Sequence, residues 1–392
     1  MNINNILFKP IMLFYFNMFK YIFNYSKLFS WLSFIYLYES FYPMNIYLYD
    51  SLLKTILSCG CIPIKFIQWS IPYLYITCDK KYHKIIKLFE TTYENCPFHS
   101  IKYTEDLYKQ EFHKDIYHDF ENIQEIASGS IGQVYKIKHK QSKKEYALKI
   151  IHPYIHYELF WNQIIIMILS YLCNMNQLLS FNSLDFFKEF KKQGNFINEA
   201  NNLLSFNHNY QLNPKIIIPE LQSVSKHILI MDFINGDSLH YNDYMLLTLF
   251  IANNLHIYKF NHGDLHPGNF RIKNNKLIIY DFGYCWKNDI PDKLFTLFQD
   301  LVYYYSPDII HTISHTIKNE LFHNLYHHLN MDSQYINEIS KDFKQQNITT
   351  IDNYILFLIH IHKKYHKIIN ISLINIFLTM LISTKYSKDF YC

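Results

Sequence analysis

The sequence predicts an α+β chain built as two lobes behind a helical, apolar N-terminal extension. Three observations predict it. Residues 1–90 are dominated by aliphatic and aromatic side chains. From about Asp119 the pattern changes to short alternating strands, and past Asn235 to helical stretches. Five of the 8 glycines crowd into three short segments, at 129 and 132, 263 and 268, and 283. A chain this sparing with glycine keeps it where the backbone turns sharply or approaches a ligand closely. The expected divisions are an apolar extension over 1–90, a strand-rich small lobe over 91–235 and a helical large lobe over 236–392.

In the extension, the run from Ile6 to Tyr49 has no acid before Glu39 and carries only Lys9, Lys20 and Lys27. An acid-poor, Lys-bearing apolar segment suits an organellar leader or a helix lying on a membrane surface. The Arg- and Ser-rich signature of a transit peptide and the small-residue cleavage site of a secretory signal are not clear here. Lys9 and Lys20 interrupt the roughly 20 continuous apolar residues that a bilayer span needs. An interfacial amphipathic anchor is therefore the expectation, with a mitochondrion or other organelle as the compartment. Two more apolar runs, Leu159 to Leu184 and Ile371 to Ile382, interrupt folded lobes and read as buried helices.

Composition excludes several classes. Aromatic content is 18% and charged content 18%, the latter below the roughly 25% of an average soluble protein. The net charge of +4 is spread over scattered lysines, so no nucleic-acid footprint is expected. The 7 cysteines are odd in number and irregularly spaced, which supports neither a disulfide framework nor a zinc ribbon. Cys59 and Cys61 form a lone CxC and read as two ordinary thiols. Pairs at helical spacing (His311 and His315, His323 and His327, His362 and His366) lack the glutamate of an HExxH site, so they read as solvated or packed.

The small lobe begins with antiparallel strands over 125–128, 132–140 and 145–151, the last two joined by a polar turn at 141–144. The first hairpin carries Ala127, Ser128, Gly129, Ser130, Ile131, Gly132, Gln133 and Val134. Against the pattern GxGxxGxV, Ala127 stands in the place of the first glycine. Such a loop lays backbone N–H groups over phosphates while Val134 roofs an adenine. One strand later, Lys149 is expected to meet the α- and β-phosphates of ATP. Two further strands, over 215–220 and 227–234, lead to a crossing where backbone groups of Asp232, Phe233 and Ile234 would meet the adenine. A helix over about 184–209 would place Glu199 against Lys149, and another is expected over 241–260.

The strongest signal lies between His262 and Gly283. Asp264 precedes Asn269 by the interval found in a protein-kinase catalytic loop, and Asp281-Phe282-Gly283 follows after a strand over 276–280. One carboxylate, Asp264, would orient the attacking oxygen and accept its proton. Asn269 and Asp281 would hold Mg²⁺ between the phosphates. His262 would hold the loop rather than act as a base. The catalytic pair expected from sequence is therefore Asp264 and Lys149, in a kinase-like fold.

These residues resemble the UbiB-type atypical kinases, a family linked with coenzyme Q and isoprenoid-lipid metabolism. The resemblance rests on the loop at 127–134, His152-Pro153-Tyr154, the segment Asn198 to Asn202, and the motifs at 262–269 and 281–283. Upstream, Ile64 to Trp69 looks like the family's Lys-x-Gly-Gln signature. By that resemblance Lys65 and Gln68 lie near the nucleotide and restrain access of bulky protein substrates. The resemblance also implies Mg²⁺ and ATP as cofactors, a lipid or membrane surface as partner and an unidentified phosphoryl acceptor, with oligomerisation open.

The chain departs from the family pattern in three places. Ile67 replaces the signature glycine, Gly129 and Gly132 stand in a loop that is often alanine-rich, and Gln193 and Asn195 occupy an acidic Glu-x-Asp pair. The ATP-binding set survives these changes, whereas the family's self-inhibition is put in question. Two alternatives stay open. One is a small-molecule kinase of aminoglycoside or choline type, against which the helix at 64–69 argues. The other is a pseudokinase scaffold that binds nucleotide or lipid without transferring phosphate.

Overall fold

The computed structural model describes residues 3–172, 182–240 and 243–287, together with scattered helical positions between 338 and 382. The chain divides into two compact units. The first comprises Met1–Ile165, Glu189–His208 and Ile218–Asn235; the second comprises Ile166–Lys188, Asn209–Ile217 and Gly236–Cys392.

Unit 1 opens with four helices: α1 (Ile3–Glu39), α2 (Ile46–Ser58), α3 (Cys61–Thr77) and α4 (His83–Glu90). Asn45 caps α2 by accepting the Tyr47 N–H, one of the orphan donors every helix start presents. Ile35, Leu52, Leu53, Ile56, Ile64, Ile71, Ile85, Ile86 and Phe89 form the shared core of these helices. On α1, Asn17, Tyr21, Tyr25 and Ile35 are buried, while Tyr15, Phe19, Phe23, Phe34, Tyr36 and Leu37 stay exposed. Among the described residues no helix is long and apolar enough to cross a membrane.

Helices α5 (Ile101–Phe112) and α6 (Ile116–Asp119) lead into a five-stranded antiparallel sheet of order β1-β2-β3-β6-β5. Its strands are β1 (Phe120–Ser128), β2 (Gly132–His139), β3 (Glu145–Ile151), β5 (Leu221–Val224) and β6 (Ile228–Asp232). The edge strand β1 is buried only at its two ends, Phe120 and Ser128, whereas β3 is buried from Ala147 to Ile151 and β6 from Ile228 to Met231. A central strand covered on both faces reads as a continuous apolar run, as β6 does and as β3 does apart from Lys149.

The helix expected over 184–209 is broken into α8 (Ser183–Lys191) and α9 (Phe196–Tyr210). Gly194 lies where a Cβ would come within 2.8 Å of Leu159. Asn195 is extended and caps α9 by accepting the Ile197 N–H. The run from Leu159 was expected to be a buried helix. The structure corrects this over α7 (Ile155–Leu172), which buries Leu159, Trp161 and Ile166 but exposes Phe160, Met167, Ile168, Tyr171 and Leu172.

Unit 2 holds two small sheets. β4 (Ile216–Ile217) pairs parallel to β9 (Lys276–Ile279), which pairs with β8 (Phe270–Lys273). β7 (Phe260–His262) pairs with β10 (Cys285–Lys287). The helix expected over 241–260 is shorter: α10 (Tyr244–Asn253) loosens into a π turn at Asn254–Tyr258 and stops at Lys259 in the left-handed region. Of the apolar run near the C-terminus, Ile376 and Leu378 are helical and buried. The three histidine pairs lie outside the described residues.

At the α2–α3 junction Gly60 has φ 96° and ψ −170°, a region that side chains do not tolerate. A Cβ there would meet the Glu158 carboxylate at 2.7 Å. That carboxylate accepts the Cys61 N–H at 3.0 Å, at the start of α3. Gly60→Ala is expected to cost about 1–3 kcal/mol in chemical denaturation; an unchanged midpoint would show that the junction relaxes freely.

Candidate active site

In unit 1 the side chain of Lys149 on β3 meets Glu199 on α9. Its Nζ donates to both carboxylate oxygens, at 2.8 and 2.9 Å, and both side chains are buried, 10% and 3% exposed. The Lys149 ammonium also lies 5.4 Å from the centre of the Phe196 ring, a cation–π contact. Phe196 heads α9 and packs where Gly132 leaves room, since a Cβ on Gly132 would sit 3.1 Å from that ring.

The nucleotide loop joins β1 to β2. Its tip is closed by Gly129 N–H donating to Gly132 O at 3.0 Å, and the His152 N–H donates to Ile131 O at 2.9 Å. The side chains of Ser128 and Gln133 do not face outward: each is 0% exposed. Ser128 Oγ donates to Pro97 O and Gln133 Nε2 to Tyr135 Oη. Neither side chain is therefore available to a ligand. Val134 lies on β2 opposite Lys149 on β3.

At the end of β6, Asp232 pairs with Lys144 and accepts from Gln222. The backbone N–H groups of Asp232 and Phe233 donate to Glu220 O and Glu145 O. Lys136 lies 4.6 Å from the Phe233 ring centre. Ile234 closes this segment.

Lys65 and Gln68 are buried on α3. Gln68 Nε2 donates to Thr92 O at 2.6 Å, and Tyr93 Oη donates to Gln68 O. Lys65 lies close enough to Cys96 to favour its thiolate, although burial dominates and pushes that thiol up to about 12. Ser128 pairs with this segment: Cys96 N–H donates to Ser128 O at 2.8 Å and Ser128 N–H to Glu94 O at 3.1 Å. Helix α3 is thus bonded to the stretch that holds the base of the nucleotide loop. Burial also pushes the Cys59 thiol up to about 12 and the Cys61 thiol well above its ordinary value. Both stay protonated thiols, free and buried.

In unit 2 a buried histidine ties the loop from His262 to Asn269 together. His262 Nε2 lies 2.9 Å from Tyr280 O; a carbonyl can only accept, so Nε2 carries the proton. Nδ1 then accepts the Asp264 N–H, at 3.2 Å. One neutral tautomer fastens the backbone of Asp264 to the residue preceding Asp281. Burial pushes His262 below its ordinary value, which suits a strut and not a proton-transfer base. His266 begins the turn that follows: its Nδ1 accepts the Gly268 N–H and its carbonyl accepts the Asn269 N–H.

Asn269 Nδ2 donates to Asp264 O at 2.7 Å, so Oδ1 is the atom that the amide can offer a cation. Asn269 O accepts the Tyr280 N–H. Asp281 has φ 53°, and its Oδ1 accepts the Gly283 N–H at 3.1 Å. Phe282 is 1% exposed and packs its ring 5.5 Å from that of His262. Asp264, Asn269 and Asp281 are therefore brought together by backbone bonds. An amide oxygen and a carboxylate are hard oxygen donors, and Mg²⁺ carried in by phosphates needs only one or two protein carboxylates. The residues fit that ion.

A family model for the ABC1 atypical kinase-like domain matches residues 91–303. The chain belongs to this family. ABC1 membership bears out the resemblance to UbiB-type kinases and the kinase-like fold, and makes the protein an atypical kinase by descent. The probable serine/threonine-protein kinase abkC of Dictyostelium discoideum is 30% identical over 251 residues, 57% of this chain and 34% of that protein. An aarF domain-containing protein kinase of Arabidopsis thaliana, described as chloroplastic, is 29% identical over 170 residues, 40% of this chain and 24% of its own length. The matches thus span about a third or less of these relatives. A solved structure, the complex of Rv3197 with erythromycin from Mycobacterium tuberculosis, aligns over 71% of this chain and 73% of its own, with TM-score 0.45 and 16% identity.

Sequence reasoning missed Phe196 beneath the Lys149 ammonium. No motif announces it, because an aromatic residue at a helix start is ordinary in a chain with 32 Phe.

Removing one member of a buried ion pair strands the other, at about 3–5 kcal/mol, whereas replacing both by apolar groups is often near neutral. Lys149→Met and Glu199→Gln are each expected to lower the denaturation midpoint of the ABC1 domain, and Lys149→Met with Glu199→Leu to restore most of it. Additive losses would show that the pair is not a stability unit.

Burial also lowers His99, His152 and His256. Each is depressed in the folded state, so the unfolded chain binds more protons once pH falls below about 6.5. Stability is full above that value and is lost as pH drops towards the folded pKa values. The melting temperature is expected to be flat above about pH 7 and to fall through pH ~6, less steeply in His262→Asn. A flat profile down to pH ~5 would contradict neutral burial of these rings.

Proposed function

We propose that the chain is a Mg-ATP-dependent atypical kinase or ATPase that works at a lipid surface and acts in, or regulates, isoprenoid- or quinone-lipid metabolism. The observation that carries the catalytic reading is that both constellations are intact. Lys149 is buried against Glu199 in unit 1, and in unit 2 Asp264, Asn269 and Asp281 are fastened together by backbone and amide bonds.

In this reading Lys149 meets the α- and β-phosphates, and the loop from Ala127 to Val134 covers them with backbone. Asp232, Phe233 and Ile234 border the adenine. Asn269 and Asp281 hold Mg²⁺, which would neutralise charge developing between the phosphates. Asp264 orients the acceptor hydroxyl or water and takes its proton. Lys65 and Gln68 regulate access through α3.

The lipid part rests on α1. Its outer face shows Phe19, Phe23, Phe34 and Tyr36, with Lys20 and Lys27 on the same helix. Aromatic and basic side chains on one helix suit the boundary between headgroups and acyl chains. A lipid-pathway acceptor and an organellar membrane follow from the family resemblance.

ATP turnover by purified protein with Mg²⁺, with and without anionic vesicles, tests the reading. Asp264→Asn is expected to reduce turnover by about 100-fold or more, Asp281→Asn to abolish it, and vesicles to raise the wild-type rate. Nucleotide binding without turnover in either condition would replace catalysis by a nucleotide-binding scaffold. No nucleotide binding at all would overturn both.

A further inference from the structure

A closed circuit of buried and part-buried polar groups lies behind the nucleotide loop. His152 follows β3, and its Nε2 lies 2.9 Å from Gly129 O. Its Nδ1 lies 2.9 Å from Nδ1 of His99, the residue before the Ser100 cap of α5. His99 Nε2 lies 3.0 Å from Thr104 Oγ1, and Thr104 Oγ1 lies 2.8 Å from Tyr135 Oη. Tyr135 Oη accepts from Gln133 Nε2 at 2.7 Å, and Gln133 Oε1 accepts the His99 backbone N–H at 2.8 Å. Thr104, Tyr135 and Gln133 are each 0% exposed.

Chemistry assigns every proton in this circuit. Gly129 O can only accept, so His152 Nε2 carries hydrogen and its Nδ1 is a bare lone pair. His99 must then donate from Nδ1, which leaves its Nε2 to accept from the Thr104 hydroxyl. Thr104 in turn accepts from Tyr135, and Tyr135 from the Gln133 amide. A proton added to His152 would take the acceptor from His99 Nδ1–H. One added to His99 would take the acceptor from Thr104. Burial pushes His99 down to about 4 and lowers His152 as well, so both rings stay neutral.

We infer that His152, held in one tautomer by His99, is a positioning residue that turns the carbonyls of the nucleotide loop inward so that the N–H groups of Ser130 and Ile131 at its tip are left for phosphate. The inference rests on the reading of this loop as a phosphate site. Three carbonyls at the tip are claimed from within. Gly129 O takes the His152 side chain, Ile131 O takes the His152 N–H, and Gly132 O takes the Gly129 N–H. A carbonyl dipole facing a phosphate oxygen is repulsive, whereas successive N–H groups make an anion-binding concavity. One residue therefore anchors two of the three groups that must point away. Gln133, inside the loop motif, serves the circuit with its side chain.

The test compares ligands with and without phosphates. His152→Phe keeps a ring but loses the donor; Thr104→Val is a milder change that removes the hydroxyl setting the His99 tautomer. In His152→Phe the affinity for MgATP is expected to fall by about tenfold, the scale of one lost hydrogen bond in a buried site, while adenosine affinity stays within about twofold. Thr104→Val should show the same bias, more weakly. Amide hydrogen exchange at residues 130–132 of the nucleotide-free protein should rise in both variants. Equal losses for ATP and adenosine, or no change in either ligand or in exchange, would overturn the inference. If the wild-type protein binds neither ligand, the phosphate reading of the loop falls, and faster exchange in the variants would still establish that the histidine pair orders it.

Discussion

The ion pair between Lys149 and Glu199 is the constraint on which unit 1 is built. Two charges removed from water must compensate each other almost completely, and here both carboxylate oxygens are engaged by one ammonium. That demand fixes the rotation of α9 against β3, because only one face of the helix brings Glu199 to the strand. It also explains the neighbours. Phe196 lends a ring face to the ammonium, and Gly132 keeps the loop strand close enough to touch that ring. A larger residue at 132 would also strike Ile150 O, so loop, strand and helix share a single tolerance.

One backbone loop in each unit is held by a common device, a neutral imidazole, buried in His262 and part-buried in His152, whose tautomer is dictated by a carbonyl. His262 donates to Tyr280 O and accepts from Asp264 N–H. His152 donates to Gly129 O and accepts from His99. An imidazole with one donor and one acceptor bridges two backbone segments at fixed separation, which neither a lysine nor a carboxylate can do. Burial adds to this by disfavouring the charged form. In these places histidine acts as a strut, and its acid–base chemistry is suppressed.

Much of this was legible in the sequence, because the motifs are local. The hairpin strands follow from alternation between 132 and 151, and Glu199 was matched to Lys149 by its place on a helix. What escaped is set by distant contacts. At the helix break Gly194 leaves room for Leu159, which passes where a Cβ would sit. Strand β5 is too short and mixed for its own pattern to declare it. Helix α7 carries apolar residues on all sides, so periodicity alone could not tell that Tyr171 and Leu172 stay exposed. Ser128 and Gln133 were read as part of a loop that covers a nucleotide with backbone, with nothing to show where their side chains go; these are taken by Pro97, Tyr135 and the His99 backbone.

The N-terminal helices α1 and α3 are joined to α7 by the carboxylate of Glu158. Glu158 on α7 is part-buried, and desolvation pushes its carboxyl above the usual range. It accepts from Cys61 at the start of α3, and the Tyr21 hydroxyl of α1 bonds to it as well. Gly60 carries no side chain at the point where one would strike this carboxylate. The same α3 presents Gln68 to Thr92, and the stretch after Thr92 pairs with Ser128 at the base of the nucleotide loop. Short bonds therefore run without interruption from the apolar helix α1 to the loop. Contiguity alone does not transmit energy; a two-state element is needed. Glu158 works against one. Moving α1 or α3 would take from Glu158 the Tyr21 and Cys61 donors, so these contacts hold the two helices against α7.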